Sequence, residues 1–262
     1  MVRAGLGATE CECVTMRLTI IGSGDAFGSG GRFNACFMVE AAERRVLVDF
    51  GASSLVALRA MRIDPNDLDG VILSHLHGDH FGALPFFLID AQLTSRRARP
   101  FTIAGPPGTR ERLDAALEVF FPRSSQNTWG FGLDIVEIVP GESHRILGLD
   151  VETIEVIHPS GAPSTAVRVG DGERLLAYSG DTEWTEALVR VADGADLLVI
   201  ECYEHSRPVP GHLCWTTLSR RLPDLRARRV MITHMNASML ERVDDARAAG
   251  LLVASDGAVV EV

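Results

Sequence analysis

Four residues able to bind metal fall within six consecutive positions, His75-Leu76-His77-Gly78-Asp79-His80. Three imidazoles and a carboxylate at this spacing suit divalent metal ions, and Gly78 allows the tight loop such a grouping needs. As ordinary polar loop residues, three neighbouring histidines would each need another partner. On an extended loop His75 and His77 share a side and can grip one ion. Asp79 and His80 then turn towards a neighbouring position, so the spacing suits a binuclear site. Neutral imidazoles with carboxylates favour Zn²⁺, and Mn²⁺ and Fe²⁺ accept the same ligands.

The elements that must position these groups show one recurring pattern. A short apolar or β-branched run ends in a residue able to bind metal: RVLVDFG in Asp49, GVILSH in His75, VETIEVIH in His158, RLLAYSGD in Asp181 and RVMITH in His234. Runs of this length bounded by Gly, Pro or Ser read as strands. Residues just beyond strand ends are where open α/β folds build their sites. LTIIG and ACFMVE are earlier strands, and AAERR predicts a hairpin from ACFMVE into RVLVD. Helices are expected from Ser53 or Ser54 to about Arg62, from His80 to about Leu93 despite Pro85, and over Thr109–Phe120, Thr182–Ala192 and Cys214–Leu222. Two β-rich halves with helices outside would make one αβ/βα sandwich. No domain boundary interrupts residues 16–262, and residues 1–15 read as a loose arm. That arm has no apolar leader and carries Cys11 and Cys13, whose lone C-x-C is weak evidence for a metal.

In order, H-x-H-x-D-H, a strand-end His, SGDT and a second strand-end His resemble the metallo-β-lactamase superfamily over residues 16 to about 255. The resemblance implies a four-layer αβ/βα metallo-β-lactamase sandwich of α/β class. It also implies His75, His77 and His158 on one ion, Asp79, His80 and His234 on the other, and Asp181 bridging them. Asp49 matches the superfamily's first motif, and its implied role is to support the ligands from behind. True β-lactamases of the superfamily usually carry Cys where Asp181 stands. The stretch YSGDTEWTEALVRVADGADLLVIECYEH looks like the ribonuclease Z and cyclic phosphodiesterase group. The opening GSGDAFGSGGRFNACF resembles that group's Gly-rich first loop. It lacks the GK[ST] of a phosphate cradle, and tight turns account for it better.

Two departures bear on substrate. Ribonuclease Z carries a tRNA-gripping arm between the motifs matched by His158 and Asp181, where this chain has only 22 residues. The group's H-E-A-T box appears as Ile200-Glu201-Cys202-Tyr203, with only the Glu retained. The net charge of −10 also argues against a broad basic surface. All 25 basic residues are Arg; the clusters Arg96, Arg97, Arg99 and Arg226, Arg228, Arg229 read as solvated faces. tRNA is therefore disfavoured as a partner and a small-molecule phosphodiester preferred.

Two divalent ions, two Asp ligands and one bridging hydroxide would leave the site near +1, attractive to an anionic diester. The leaving alkoxide needs a proton. His212, in VPGHLCW, stands where the ribonuclease Z group has a His-Ser-Thr box and is the candidate donor; His212 and Asp79 are the candidate catalytic residues. His144 and His205 are left as surface residues. Trp184, Tyr203 and Trp215 are candidates for an apolar wall, with core packing the competing account. Three function classes stay open: a phosphodiesterase, with tRNA 3′ processing as its disfavoured variant; a thioester, lactone or other carbonyl hydrolase; and an iron-dependent or metal-binding protein without hydrolysis. Few scattered cysteines and no long apolar run lead to the expectation of a cytoplasmic protein with no membrane span. Homodimers are common in the resembled group; a homodimer is suggested here by that analogy alone, and the sequence leaves the oligomeric state open.

Overall fold

The computed structural model describes residues 16–262. The arm with Cys11 and Cys13 lies outside the described residues. Numbered along the chain, the strands of the first half are β1 Arg17–Gly22, β2 Cys36–Ala41, β3 Arg44–Val48, β4 Gly70–Ile72, β5 Phe101–Gly105 and β6 Leu133–Glu137. The second half supplies β7 Ser143–Ile146, β8 Leu149–Glu155, β9 Thr165–Gly170, β10 Leu175–Tyr178, β11 Leu197–Glu201, β12 Val230–Thr233, β13 Leu252–Val253 and β14 Val259–Glu261. They form two seven-stranded sheets, ordered β14-β1-β2-β3-β4-β5-β6 and β13-β12-β11-β10-β9-β8-β7. Each sheet is antiparallel at one end and parallel at the other, from β3 to β6 and from β10 to β13.

The alternation of apolar residues explains the layering. Leu18, Ile20, Phe37, Val39, Val46 and Val48 from the first sheet meet Val151, Val167, Val169, Leu176, Tyr178 and Val199 from the second in one buried cluster. Side chains two apart along a strand share a face, so each strand also offers a second apolar face. Phe37 and Tyr178 touch across the two sheets with ring centroids 5.0 Å apart. Helices α1 Ser54–Ala60, α2 Gly78–Phe81, α3 Leu84–Leu93 and α4 Thr109–Phe120 lie along the first half, where buried residues of α1 to α4 join the outer-face cluster of the first sheet. Helices α5 Ala187–Ala192, α6 Trp215–Arg221, α7 Ala237–Leu240 and α8 Val243–Ala248 supply the matching cluster on the second. The expected four-layer αβ/βα sandwich is the observed one.

The hairpin through AAERR turns at Ala42 and Glu43, both at positive φ, as the right-handed twist of a two-residue hairpin demands. Three expectations need correction. The helix placed over His80–Leu93 is two helices: α2 ends at Phe81, and α3 starts anew with Pro85 in its first turn, where a missing N–H costs nothing. The helix placed from Thr182 begins only at Ala187, because the Thr182 N–H goes to the Glu201 carboxylate and the Glu183 N–H goes to the Ile157 carbonyl. Arg97 is no solvated residue: it is 4% exposed. Its guanidinium lies over Phe101 at 5.2 Å and donates to the carbonyls of Pro65, Asn66, Leu68, Arg99 and Pro100. A planar fork of five donors is what so many converging carbonyls require.

Candidate metal centre

The parallel strands of both sheets end at one edge, and the chemistry-bearing residues follow those ends directly. Asp49 follows β3, His75 lies three residues beyond β4, Asp181 three beyond β10, and His234 follows β12. Two of these positions are strained: Asp49 and His234 adopt positive φ of 60° and 57°. Non-glycine residues hold such angles only where surrounding structure enforces them, commonly at functional sites. Backbone contacts enforce them here, since the Asp49 N–H donates to the Ile72 carbonyl and the His234 N–H to the Ser23 carbonyl.

Three groups of ligand atoms result. His75, His77 and His158 converge in one and Asp79, His80, Asp181 and His234 in another, and these two hold the predicted set; the third, Asp181, Glu201, His212 and His234, overlaps the second. Asp181 stands between the first two. Its Oδ2 lies 3.3 Å from His80 Nε2, 3.5 Å from His234 Nε2, 3.9 Å from His158 Nε2 and 4.0 Å from His75 Nε2. All seven sequence-predicted ligands are therefore brought together.

The tautomers follow from what lies behind the ligands. Ser74 donates its N–H and its hydroxyl to the Asp49 carboxylate, at 2.7 and 2.8 Å. With its proton so committed, Ser74 Oγ accepts from His75 Nδ1 at 3.0 Å. His80 Nδ1 donates to Asp49 Oδ2 at 2.7 Å, and His158 Nδ1 to the Gly211 carbonyl at 2.7 Å. In all three rings the Nε2 lone pair is thus left pointing into the site, the arrangement metal-binding histidines use. Asp49 takes the supporting place expected of it, and it is fully buried.

These residues fit divalent ions on the structure's own terms. His75 Nε2, His80 Nε2 and Asp181 Oδ1 are buried side-chain atoms with no hydrogen-bond partner. Leaving such atoms unpaired is costly, and a cation among them would remove the cost. The titration directions agree. Burial disfavours charge at Asp181, yet His234 and His80 hold it well below the usual carboxylate range. Burial likewise opposes charge at His234, but Asp181 and Asp79 raise it to about 9. Protons on imidazoles here take the place a metal charge would fill. His75 is pushed down by burial and by His80, which keeps it neutral and free to ligate.

His212 also reaches the site. Its Nδ1 lies 3.1 Å from Glu201 Oε2 and 3.9 Å from Asp181 Oδ2, and its ring stacks on Tyr203 at 4.6 Å. Burial opposes its charge, but the Glu201 hydrogen bond and charge outweigh burial and raise it. Glu201 is wholly buried and pushed up to about 7 by burial and by Asp181. Sequence reasoning noted Glu201 only as the surviving letter of a box and gave it no task; its signal was a carboxylate closing an apolar strand. Ser74 and the Gly211 carbonyl were missed as well. Among the tryptophans, Trp215 is 8% exposed in the outer core and so is packing, whereas Trp184 is half-buried beside His212. His205 pairs with Asp245 and His144 with Glu142, in neither case among the ligands.

The Gly-rich loop forms turns, as expected: Gly28, Gly30 and Gly31 have positive φ, and Asp25 accepts from the Ser29 N–H and hydroxyl. In the interval where an arm was sought, β9 and β10 form a hairpin closed by a short turn at residues 171–174. No helix among the described residues is long and apolar enough to cross a membrane.

The model of a family described as Anti-Pycsar protein Apyc1 matches residues 16–256. The chain is 28% identical over 193 residues to ribonuclease Z of Mycobacterium bovis (strain BCG / Pasteur 1173P2), covering 70% of this chain and 69% of that one. It is 30% identical over 227 residues to uncharacterized protein ML1173 of Mycobacterium leprae (strain TN), covering 85% and 78%. Among solved structures it is similar to the metallo-β-lactamase fold protein YhfI from Bacillus subtilis, with a TM-score of 0.77 and 21% identity over 95% of this chain and 100% of that chain. It is also similar to a diphosphatase from the PhnP family, with a TM-score of 0.75 and 19% identity over 94% and 98%.

Proposed function

For this chain, which belongs to the Anti-Pycsar protein Apyc1 family and is a metallo-hydrolase of the metallo-β-lactamase fold, we propose a binuclear phosphodiesterase acting on a small or cyclic phosphodiester. The observation that carries the reading is Asp181 Oδ2, within 4.0 Å of imidazole nitrogens from both groups of predicted ligands. His75, His77 and His158 would hold one ion; Asp79, His80 and His234 the other; Asp181 would serve both. When bound, two such ions supply a water reactive near neutral pH and positive charge for a phosphoryl oxygen. Zn²⁺ suits this donor set, with Mn²⁺ or Fe²⁺ as alternatives.

The protein's own groups supply the rest. His212 is aimed into the site between Glu201 and Asp181, whose charges favour its protonated form, and it is the group placed to donate a proton to the departing alkoxide. Glu201 fixes the ring through Nδ1 and leaves Nε2 as the donating atom. Asp49 and the Gly211 carbonyl keep His80 and His158 in the tautomer that faces the site. The compact β9–β10 hairpin offers no arm for tRNA, which supports a small diester over precursor tRNA.

The test is a panel of bis-p-nitrophenyl phosphate, 2′,3′- and 3′,5′-cyclic nucleotides, a thioester, a lactone, nitrocefin and precursor tRNA, run with elemental analysis. Diester turnover with about two metal ions per chain is expected. Faster turnover of the thioester or lactone, or a metal ratio near one that reconstitution does not raise, would overturn the reading. His212→Ala should lower kcat on cyclic nucleotides by about 10²–10⁴-fold. It should matter far less on bis-p-nitrophenyl phosphate, whose leaving group needs no proton. Equal losses on both would make His212 a positioning residue.

A further inference from the structure

Glu201 and His212 reach the site without belonging to either predicted set. With Asp181 and His234 they make up the third group of ligand atoms, all within 4.8 Å of one another. We propose that this group takes a further divalent ion, bound more weakly than the pair held by the predicted sets, and that its arrival removes the proton donor. The ion's effect on turnover rests on the phosphodiesterase reading; its binding does not.

The donors are of the right kind and spacing. Imidazole and carboxylate are ligands Zn²⁺ accepts, and two of them on one tetrahedral ion stand about 3.3 Å apart. His212 Nδ1 lies 3.1 Å from Glu201 Oε2 and 3.9 Å from Asp181 Oδ2, to either side of that value. Asp181 also has an oxygen to spare. Its Oδ2 faces imidazoles of both predicted sets, whereas Oδ1 is buried with no hydrogen-bond partner. Glu201 is divided in the same way: Oε1 accepts from the Thr182 N–H, and Oε2 is left to His212. No arginine competes for these oxygens, since among the described residues every ion-pair partner of the two carboxylates is an imidazole.

Burial sets the way in. Asp181, Glu201 and His234 are buried, while the His212 side chain is 19% exposed. An ion therefore enters past His212 and need not disturb the residues behind it. Glu201 and His212 are the ligands it has to itself; Asp181 and His234 are shared with a neighbouring ion. That sharing, and repulsion between two divalent charges, make the binding weak. The extra ion is taken up only in excess free metal.

The exchange is one ion for one proton. The hydrogen between His212 Nδ1 and Glu201 Oε2 leaves to solvent, and the metal takes its place. The ring then keeps a single proton, on Nε2, and giving it up would leave an imidazolate. Such a ring is a far weaker acid than imidazolium. Excess metal therefore slows diesters whose leaving group needs a proton and spares those whose leaving group does not.

The probe is Zn²⁺ itself, added to enzyme that already holds its two ions. Equilibrium dialysis without chelator should show a third equivalent taken up at higher free Zn²⁺ than the first two. His212→Ala and Glu201→Gln should each abolish that third step while two ions remain. His212→Ala leaves every buried carboxylate in place, which guards against a misfolded Glu201 variant. In turnover, Zn²⁺ over the range that fills the third step should lower kcat on 2′,3′-cyclic nucleotides by about 10²-fold or more, the loss expected with a general acid, and leave bis-p-nitrophenyl phosphate nearly unchanged. Diester turnover with only two ions taken up, or with a third step unchanged in either variant, would overturn the site and spare the phosphodiesterase. A third step lost in both variants, with no diester turnover, would do the reverse. Equal inhibition of the two diesters would overturn the displacement of the donor.

Discussion

Asp49→Asn tests the logic of the metal centre because it removes one charge and keeps the shape. Asp49 accepts three hydrogen bonds, from the Ser74 N–H at 2.7 Å, the Ser74 hydroxyl at 2.8 Å and His80 Nδ1 at 2.7 Å. A carboxylate only accepts, whereas an amide has one oxygen and two N–H groups. The oxygen can stay with the Ser74 N–H, but the NH₂ then faces His80 Nδ1, a donor against a donor. The imidazole escapes by moving its proton to Nε2, which removes the lone pair aimed between Asp79 and Asp181, 3.2 and 3.3 Å away. Loss of such a supporting partner weakens metal binding by about 10–100-fold, or about 1.4–2.7 kcal/mol. The fold loses a buried hydrogen bond to a charged group as well, about 1.5–3 kcal/mol. That corresponds to a Tm lower by roughly 3–12 °C in a chain of this size. Zn²⁺ titration against a competing chelator should resolve two stepwise affinities. One should fall by the stated factor, while the His75–His77–His158 set, reached only through Ser74, should change less. Equal losses at both sites, or none at either, would refute the tautomer argument.

Asp181→Ala should empty or weaken both metal sites, whereas His158→Ala should weaken mainly one; full metal occupancy in Asp181→Ala would end the bridging assignment. Arg97→Met should cost about 2–6 kcal/mol in urea unfolding, because at least the buried Pro65 and Leu68 carbonyls lose their donors. Arg97→Lys should rescue it poorly, since an ammonium cannot reproduce the fork. For acid stability the group to follow is Glu204. Burial raises its pKa, but hydrogen bonds from Ser238 and Asn236 outweigh burial and bring it from 4.5 to about 2. A depressed folded value gives stability that is present above about pH 4.5 and is lost as pH falls towards 2. Glu204→Gln should therefore be less stable than the parent at pH 7, with the gap closing across that window in denaturant titrations.

The ligands were legible because their types are rare and each closes an apolar run, so the strand reading and the chemical reading agreed at His75, His158, Asp181 and His234. The sandwich followed from the same runs. What stayed hidden depends on residues far apart in the chain. Nothing local to Thr182 and Glu183 announces that their N–H groups belong to Glu201 and Ile157, so a helical pattern was extended five residues too far. Nothing in SRRARP marks Arg97 as the one arginine that turns inward, because the carbonyls that claim it include Pro65 and Leu68, about thirty positions away. Glu201 looked like the end of a strand, and its work comes from groups elsewhere in the chain, the Thr182 N–H and His212. Pro85 was read as tolerated within one helix, when it begins a second.

The division of ligands between the two halves has a consequence for how the chain could be cut. His75 and His77 come before β6 and His158 after β7; Asp79 and His80 come before, Asp181 and His234 after. Neither half owns a complete set. The connection between β6 and β7 is exposed at Val139, Gly141 and Glu142. Fragments split at Gly141 would each expose the inner face of one sheet and carry a broken set of ligands. Their reassembly should tighten with added Zn²⁺ and loosen with chelator, which would make the two halves a metal-gated pair of complementing fragments.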